Sequence, residues 1–130
     1  MAIPRRLPMS HEQVFPLGAF LVSEVTPVRD FDKSTKDVPV QKRDDDTGFP
    51  VWQIDVLDGD PTATRAQRTV SIKIVAQHQP VPPKAHEGMP VTPIHLDGLE
   101  VTPYVDTNGK FARLAWSFRA TGISALGKAA

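Results

Sequence analysis

Between Trp52 and Ile74 the chain reads WQIDVLDGDPTATRAQRTVSIKI, placing Asp55, Asp58 and Asp60 within six positions, followed by the basic residues Arg65, Arg68 and Lys73 alone. Clustered carboxylate oxygens are what a hard cation such as magnesium or calcium takes as ligands. The run lacks the glycine and the glutamate at the sixth and twelfth positions of a calcium loop, and DDDTGFPVWQID at 44–55 fails in the same way. Aspartate followed by glycine or proline is a turn signal, so these carboxylates read as a solvated turn. His11, His78, His86 and His95 come without cysteine and without the spacing of a metalloprotease helix, which leaves no recognisable zinc site. No nucleophile elbow, phosphate loop or dinucleotide fingerprint occurs. The expectation is therefore a protein that is no enzyme and takes no metal or cofactor.

The basic residues offer a different chemistry. Fifteen basic and fifteen acidic residues cancel, but their distribution is uneven: after Asp106 come Lys110, Arg113, Arg119 and Lys128 with no acid, while DFDKSTKDVPVQKRDDD at 30–46 mixes both signs. Lys73, Arg113 and Arg119 fall on the polar faces of alternating strands, and Arg65 and Arg68 near the tip of the central hairpin. Together they predict a stripe able to hold phosphates by charge and paired hydrogen bonds. Tyr104, whose face-mates Glu100 and Thr102 are polar, is the candidate for stacking on a base. Trp52, Trp116 and Phe118 share the apolar faces of their strands, which predicts core packing for them.

The elements that must position these residues are strands. PVWQIDVLD and RTVSIKIVA alternate cleanly, with Trp52, Ile54 and Val56 on one face of the first and Val70, Ile72 and Ile74 inward on the second, and DGDPTATRAQ connects them as an antiparallel hairpin. A second hairpin is expected from GLEVTPYVD to FARLAWSFRATGI, turning at Asn108-Gly109. FPLGAFLVSEVTPV at 15–28 reads as one strand buried on both faces, with Gly18 as a bend. Residues 30–48 read as a long loop or two weak strands. HQPVPPKAHEGMPVTP, with five prolines, reads as an irregular connector. SHEQVF alone hints at a helical turn capped by Ser10 with Gln13 three residues on.

A chain of 130 residues and 14.3 kDa suits one domain, taken as 1–130 with 1–12 and 124–130 as flexible ends. Thirteen prolines and eight glycines favour short strands over helices. The fold class is thus all-β: a single small five-stranded barrel, of the oligonucleotide-binding kind, or an open β-sandwich with long loops. No apolar run approaches the roughly 18 residues of a spanning helix, so a cytoplasmic protein without membrane partners is expected.

Several stretches, MAIPRRLPMSHEQVFPLGAFLVSEVTPVRDFDKSTKDVPVQ, GFPVWQIDVLDGDP, VSIKIVAQHQPVPP and GLEVTPYVDTNGKFARLAWSFRATGI, resemble a known family. It is that of the plasmid replication, integration and excision activators, the Pra-type proteins of actinobacterial integrative and conjugative elements. The resemblance implies a regulator that switches on an element's replication, excision and integration, and implies no catalytic motif. No helix-turn-helix pattern is present, which leaves open DNA contact through a β surface or the binding of single strands exposed during replication in a barrel groove. Single and double strands both remain open as its target. The alternative is a protein-interaction module, dimeric or recruiting a replication or transcription protein through a strand edge or the proline-rich connector, without touching DNA.

Overall fold

The computed structural model describes residues 6–30, 38, 40–64, 68–84, 88 and 91–125. In chain order the elements are β1 (Leu7–Pro8), α1 (His11–Val14), β2 (Ala19–Leu21), β3 (Thr26–Pro27), β4 (Val51–Asp58), β5 (Thr69–Val75), β6 (Thr92–Asp97), β7 (Glu100–Asp106), β8 (Arg113–Ala120) and β9 (Gly122–Ala125). The alternation of the central hairpin is realised in its register. Trp52 lies opposite Ile74, Ile54 opposite Ile72 and Val56 opposite Val70, while Gln53 faces Lys73 and Asp55 faces Ser71.

The strands form one curled, open sheet in the order β1-β7-β8-β5-β4-β2-β6-β9, with β3 beside β4, a half-barrel rather than a closed one. Among the described residues every strand pairing is antiparallel except β5 with β8, whose parallel contact runs from Ile72↔Phe118 to Ile74↔Ala120. The concave side holds the core: Ile54, Val56, Ile72, Ile74, Ile94 and Leu96 are sealed from solvent, each burial contributing about 1.5–3 kcal/mol. Phe15, Leu21, Val25 and Leu99 close its ends.

The all-β, partly closed architecture expected from the sequence is what forms, with nine strands among the described residues where five were read. The extra strands have identifiable origins. The apolar run 15–28 splits into β2 and β3 because Ser23 turns the chain: its hydroxyl accepts the Asp55 amide at 2.8 Å and donates to the Glu24 carbonyl at 3.1 Å. Gly18, at φ 96°, bends the chain into β2, and its carbonyl takes the Gly59 amide at 2.9 Å. Gly59 passes so close to Leu17 that a Cβ there would lie 2.2 Å from the Leu17 carbonyl oxygen. β6 emerges directly from the proline-rich stretch, with Pro93 near its start and Ile94 and Leu96 in the core.

Of the ends expected to be flexible, 1–5 and 126–130 lie outside the described residues, and paired residues occur in the described part of each. Leu7 and Pro8 pair with Val101 and Glu100, and β9 pairs with β6 from Ile94↔Ala125 to Asp97↔Gly122. Both insertions are possible because β7 and β6 would otherwise present open edges. The helical turn forms as read: the Ser10 hydroxyl accepts the Gln13 amide at 3.2 Å while the Gln13 side chain accepts the Ser10 amide at 2.8 Å, a reciprocal cap. Asn108-Gly109 does not make a two-residue turn. Neither residue has positive φ, pairing stops at Asp106↔Arg113, and residues 107–112 form a wider loop begun by an Asp106 carboxylate that accepts the Asn108 amide at 3.0 Å.

Candidate nucleic-acid interface

Cross-strand register assembles one polar row on the convex face. Thr26 lies beside Gln53, Gln53 beside Lys73, Lys73 beside Arg119, Arg119 beside Glu100 and Glu100 beside Pro8. Two of the predicted phosphate contacts, Lys73 and Arg119, are therefore direct neighbours. Both are engaged. The Lys73 ammonium donates to the Gln53 side chain, and burial, with Lys42 nearby, pushes its pKa below the ordinary lysine value despite the opposing pull of Asp55.

Arg119 anchors a loop. Its Nη1 donates to Asp44 Oδ1 at 2.6 Å, its Nε sits 3.9 Å from Glu100 Oε1 without a hydrogen bond, and its side chain is 17% exposed. Asp44 is itself buried. Its second oxygen accepts the Thr47 amide and hydroxyl, both at 3.0 Å, and Gly48 donates back to the Asp44 carbonyl at 2.8 Å. Arg119 first, then Thr47, hold the Asp44 carboxyl down at about 2. The turn at 44–48 is thus docked on the sheet by a desolvated ion pair, which assigns Arg119 an architectural task in the free protein.

A second cluster lies at the outer end of the β7–β8 hairpin. Beyond Phe118 no β5 residue pairs with β8, so positions 113–117 stand clear of the half-barrel. The concave side of the hairpin begins in the core with Val101 opposite Phe118, then continues outward through Pro103 opposite Trp116 and Val105 opposite Leu114. Nothing among the described residues covers this extension: Leu114 is 63% and Trp116 47% exposed. The core packing predicted for Trp116 therefore fails, because the hairpin outruns the core it starts in. Phe118 packs against the core, and Trp52 does so with its indole N–H donating to the Ala76 carbonyl at 3.1 Å.

The hairpin's opposite side carries Tyr104 beside Ala115 and Asp106 beside Arg113. Tyr104 is exposed, as its polar neighbours predicted. Arg113 is also exposed, with its Nε 3.9 Å from Asp106, a pair that solvent makes weak. In the connecting loop Phe111 is 77% exposed, and Lys110 Nζ stands 6.0 Å from its ring centre. Tyr104, Phe111 and Trp116 thus sit with Lys110 and Arg113 on one projecting element. About 20 Å of strand separates Arg113 from Arg119, so the predicted stripe divides into two groups. Arg68 is exposed at the start of β5, its guanidinium 3.5 Å from the Ala63 carbonyl, and Arg65 lies outside the described residues.

The aspartates that opened the chemical reading are used locally. Asp55 accepts the Ser71 hydroxyl at 2.7 Å, Asp58 accepts the Asp60 amide at 3.0 Å, and Asp60 accepts the Thr62 amide and hydroxyl at 2.9 and 2.7 Å. Among the described residues no three histidine or carboxylate groups are placed to share a metal ion, and no helix is long and apolar enough to cross a membrane. Phe111, Trp116 and Lys110 are the interface candidates that sequence reasoning left out. Phe111 was legible beside the turn, whereas the exposure of Trp116 depends on where β5 stops pairing. Comparison with known protein families, curated proteins and solved structures returned no match.

Proposed function

We propose that the protein is a non-enzymatic, cytoplasmic regulator of a mobile element that promotes replication, excision and integration by holding nucleic acid on the β7–β8 hairpin. The observation that carries this reading is the concentration on one hairpin of three exposed rings and two cations: Tyr104 on the side of Arg113, Trp116 on the opposite side, and Phe111 with Lys110 in the loop between the strands. Exposed rings interleaved with cations suit unstacked bases and their phosphates: each base–ring stack contributes about 1–3 kcal/mol and is tolerant of sequence. The cations would supply the salt-sensitive phosphate contacts. Lys73 and Arg68 extend the basic surface toward the central hairpin, and the resemblance to replication, integration and excision activators gives the binding its biological setting.

The test is fluorescence anisotropy of labelled single-stranded and duplex oligonucleotides at low and physiological salt. Wild type is expected to bind with marked salt sensitivity. Phe111→Ala/Trp116→Ala is expected to weaken binding by tenfold or more, following from two stacks at about 1 kcal/mol or above each. Arg113→Ala is expected to reduce the salt slope by about one. Absence of binding, or binding indifferent to salt and to both variants, refutes the reading.

A second reading rests on the same element. Val105, Leu114 and Trp116 form an exposed apolar surface, and the net charge is zero, which suits a protein partner or a second copy better than a polyanion. Recovery of a partner protein after nuclease treatment, lost in Leu114→Ser/Trp116→Ser, with no intrinsic oligonucleotide binding, would favour it.

A further inference from the structure

The segment from Arg6 to Val14 lies across the sheet as a strap. Leu7 and Pro8 pair with β7, the Met9 amide donates to the Leu99 carbonyl at 3.0 Å, and Arg6 reaches Asp46 at 2.9 Å. Its far end is fixed on β6 by a pair of histidines. β2 and β6 stop pairing at Ala19↔Ile94, and beyond that point the Leu96 amide donates to His11 Nδ1 at 3.2 Å. An Nδ1 that accepts belongs to a neutral ring with its proton on Nε2. The His11 residue is 5% exposed, and its ring centre lies 4.6 Å from that of His95 and 5.8 Å from that of Phe15. His95 in turn lies 3.0 Å from Asp97 through Nδ1 and 3.4 Å from Glu12 through Nε2.

We propose that His11 is a proton-operated latch: a proton from solvent arriving at Nδ1 removes the acceptor of the Leu96 amide, puts a charge beside His95 in a buried site, and frees the strap from β6 and β7. The charged or titratable groups facing His11 are Glu12 on its own helix and His95 and Asp97 on β6; from β9, the Ser124 hydroxyl donates to Asp97 at 3.2 Å. The two carboxylates favour the imidazolium. Burial, the largest influence, and His95 oppose it, and the outcome is a His11 pKa below its ordinary 6.5.

The sign follows from that direction. The released strap binds a proton more readily than the docked one, so docking is at full strength above about pH 6.5 and weakens as the pH falls below it. Release uncovers the edge of β7 at Glu100 and Val101, at the root of the projecting hairpin. An uncovered edge of this kind offers backbone hydrogen bonds to another strand. Acidification would in this way change what the sheet can pair with.

The experiment is amide hydrogen exchange followed by NMR at pH 7.5 and 5.5, corrected for intrinsic exchange rates, on wild type and His11→Gln. Protection of the Leu96 and Met9 amides is expected to fall measurably, by at most about tenfold, across this range while the β4–β5 amides keep theirs. In His11→Gln, whose side-chain oxygen accepts without titrating, the fall is expected to vanish. Unchanged protection in wild type, a fall shared by β4–β5, or a fall that persists in His11→Gln would overturn the latch. If His11→Gln loosens the strap at both pH values, the wild-type His11 ring resonances decide. A midpoint below 6.5 that tracks Leu96 opening supports the proposal, and a midpoint above it overturns the proposal.

Discussion

Replacing Asp44 by alanine should be among the most damaging single changes outside the core. The carboxylate accepts three donors, Arg119 Nη1 at 2.6 Å and the Thr47 amide and hydroxyl at 3.0 Å each. A hydrogen bond is worth about 1 kcal/mol net between neutral groups and about 1.5–3 kcal/mol when one group is charged. Stranding a buried partner sets an upper range of about 3–5 kcal/mol. The partial exposure of Arg119 and the carboxylate of Glu100 at 3.9 Å both soften that penalty. The expected loss is thus about 2–3 kcal/mol, equivalent to a melting-temperature drop of about 10 °C in a domain of this size. Urea and thermal unfolding of wild type, Asp44→Ala, Arg119→Ala and the double variant would measure it, with the double variant losing clearly less than the sum of the singles. A loss in Asp44→Ala below about 0.5 kcal/mol, typical of a neutral surface change, would refute the anchoring of the 44–48 turn by Arg119.

The same ion pair predicts an acid limb. With its carboxyl held at about 2 against an ordinary 3.8, Asp44 contributes about 1–2 kcal/mol that is present above pH 3.8 and is lost as the pH falls toward 2; Asp44→Asn should flatten the unfolding free energy in that window. Gly59→Ala should cost about 2 kcal/mol or more, because the new methyl would lie 2.2 Å from the Leu17 carbonyl oxygen and only backbone movement relieves it; unchanged thermal unfolding would count against that close approach. Ile72→Ala, at a sealed position, should cost about 2–5 kcal/mol, whereas Trp116→Ala should stay within about 1 kcal/mol because half the residue already faces solvent; equal losses in urea unfolding would contradict the exposed placement of the hairpin.

Local rules carried the sequence reading where a pattern has a period and a partner nearby. The alternation of residues 52–56 and 70–74 marked which side chains turn inward, and in the hairpin those inward residues do lie opposite one another, and the Ser10–Gln13 cap was readable because all its atoms lie within one turn. What escaped reading depends on distant neighbours. β6 is hidden in the sequence by the prolines before it, and it is pairing with β2 over Thr92–Ile94 and with β9 over Ile94–Asp97 that makes a strand of TPIHLD. Trp116 has the spacing of a core residue, yet burial requires an opposing strand, and β5 meets β8 only from Phe118 onward. Arg119 looks like a free surface cation in sequence, since nothing local signals that Asp44, seventy-five positions away, folds back on it.

The short parallel seam between β5 and β8 bears on how the chain reaches its native state. On one side of it lie β1, β7 and β8, on the other β5, β4, β3, β2, β6 and β9, and among the described residues three residue pairs stitch the two parts together. Each hairpin closes over a short loop and can form in about 1–10 μs. The seam must instead bring residues 72–74 to residues 118–120, paying the entropy of a long closure before many contacts repay it. The β4–β5 and β7–β8 hairpins can therefore form ahead of the seam, whose long closure is of the same kind as those that pair β1 with β7 and β2 with β6. Until the seam closes, the inner strand of each part offers an unsatisfied backbone, so the interval before stitching is when the chain is most open to mispairing with its own kind.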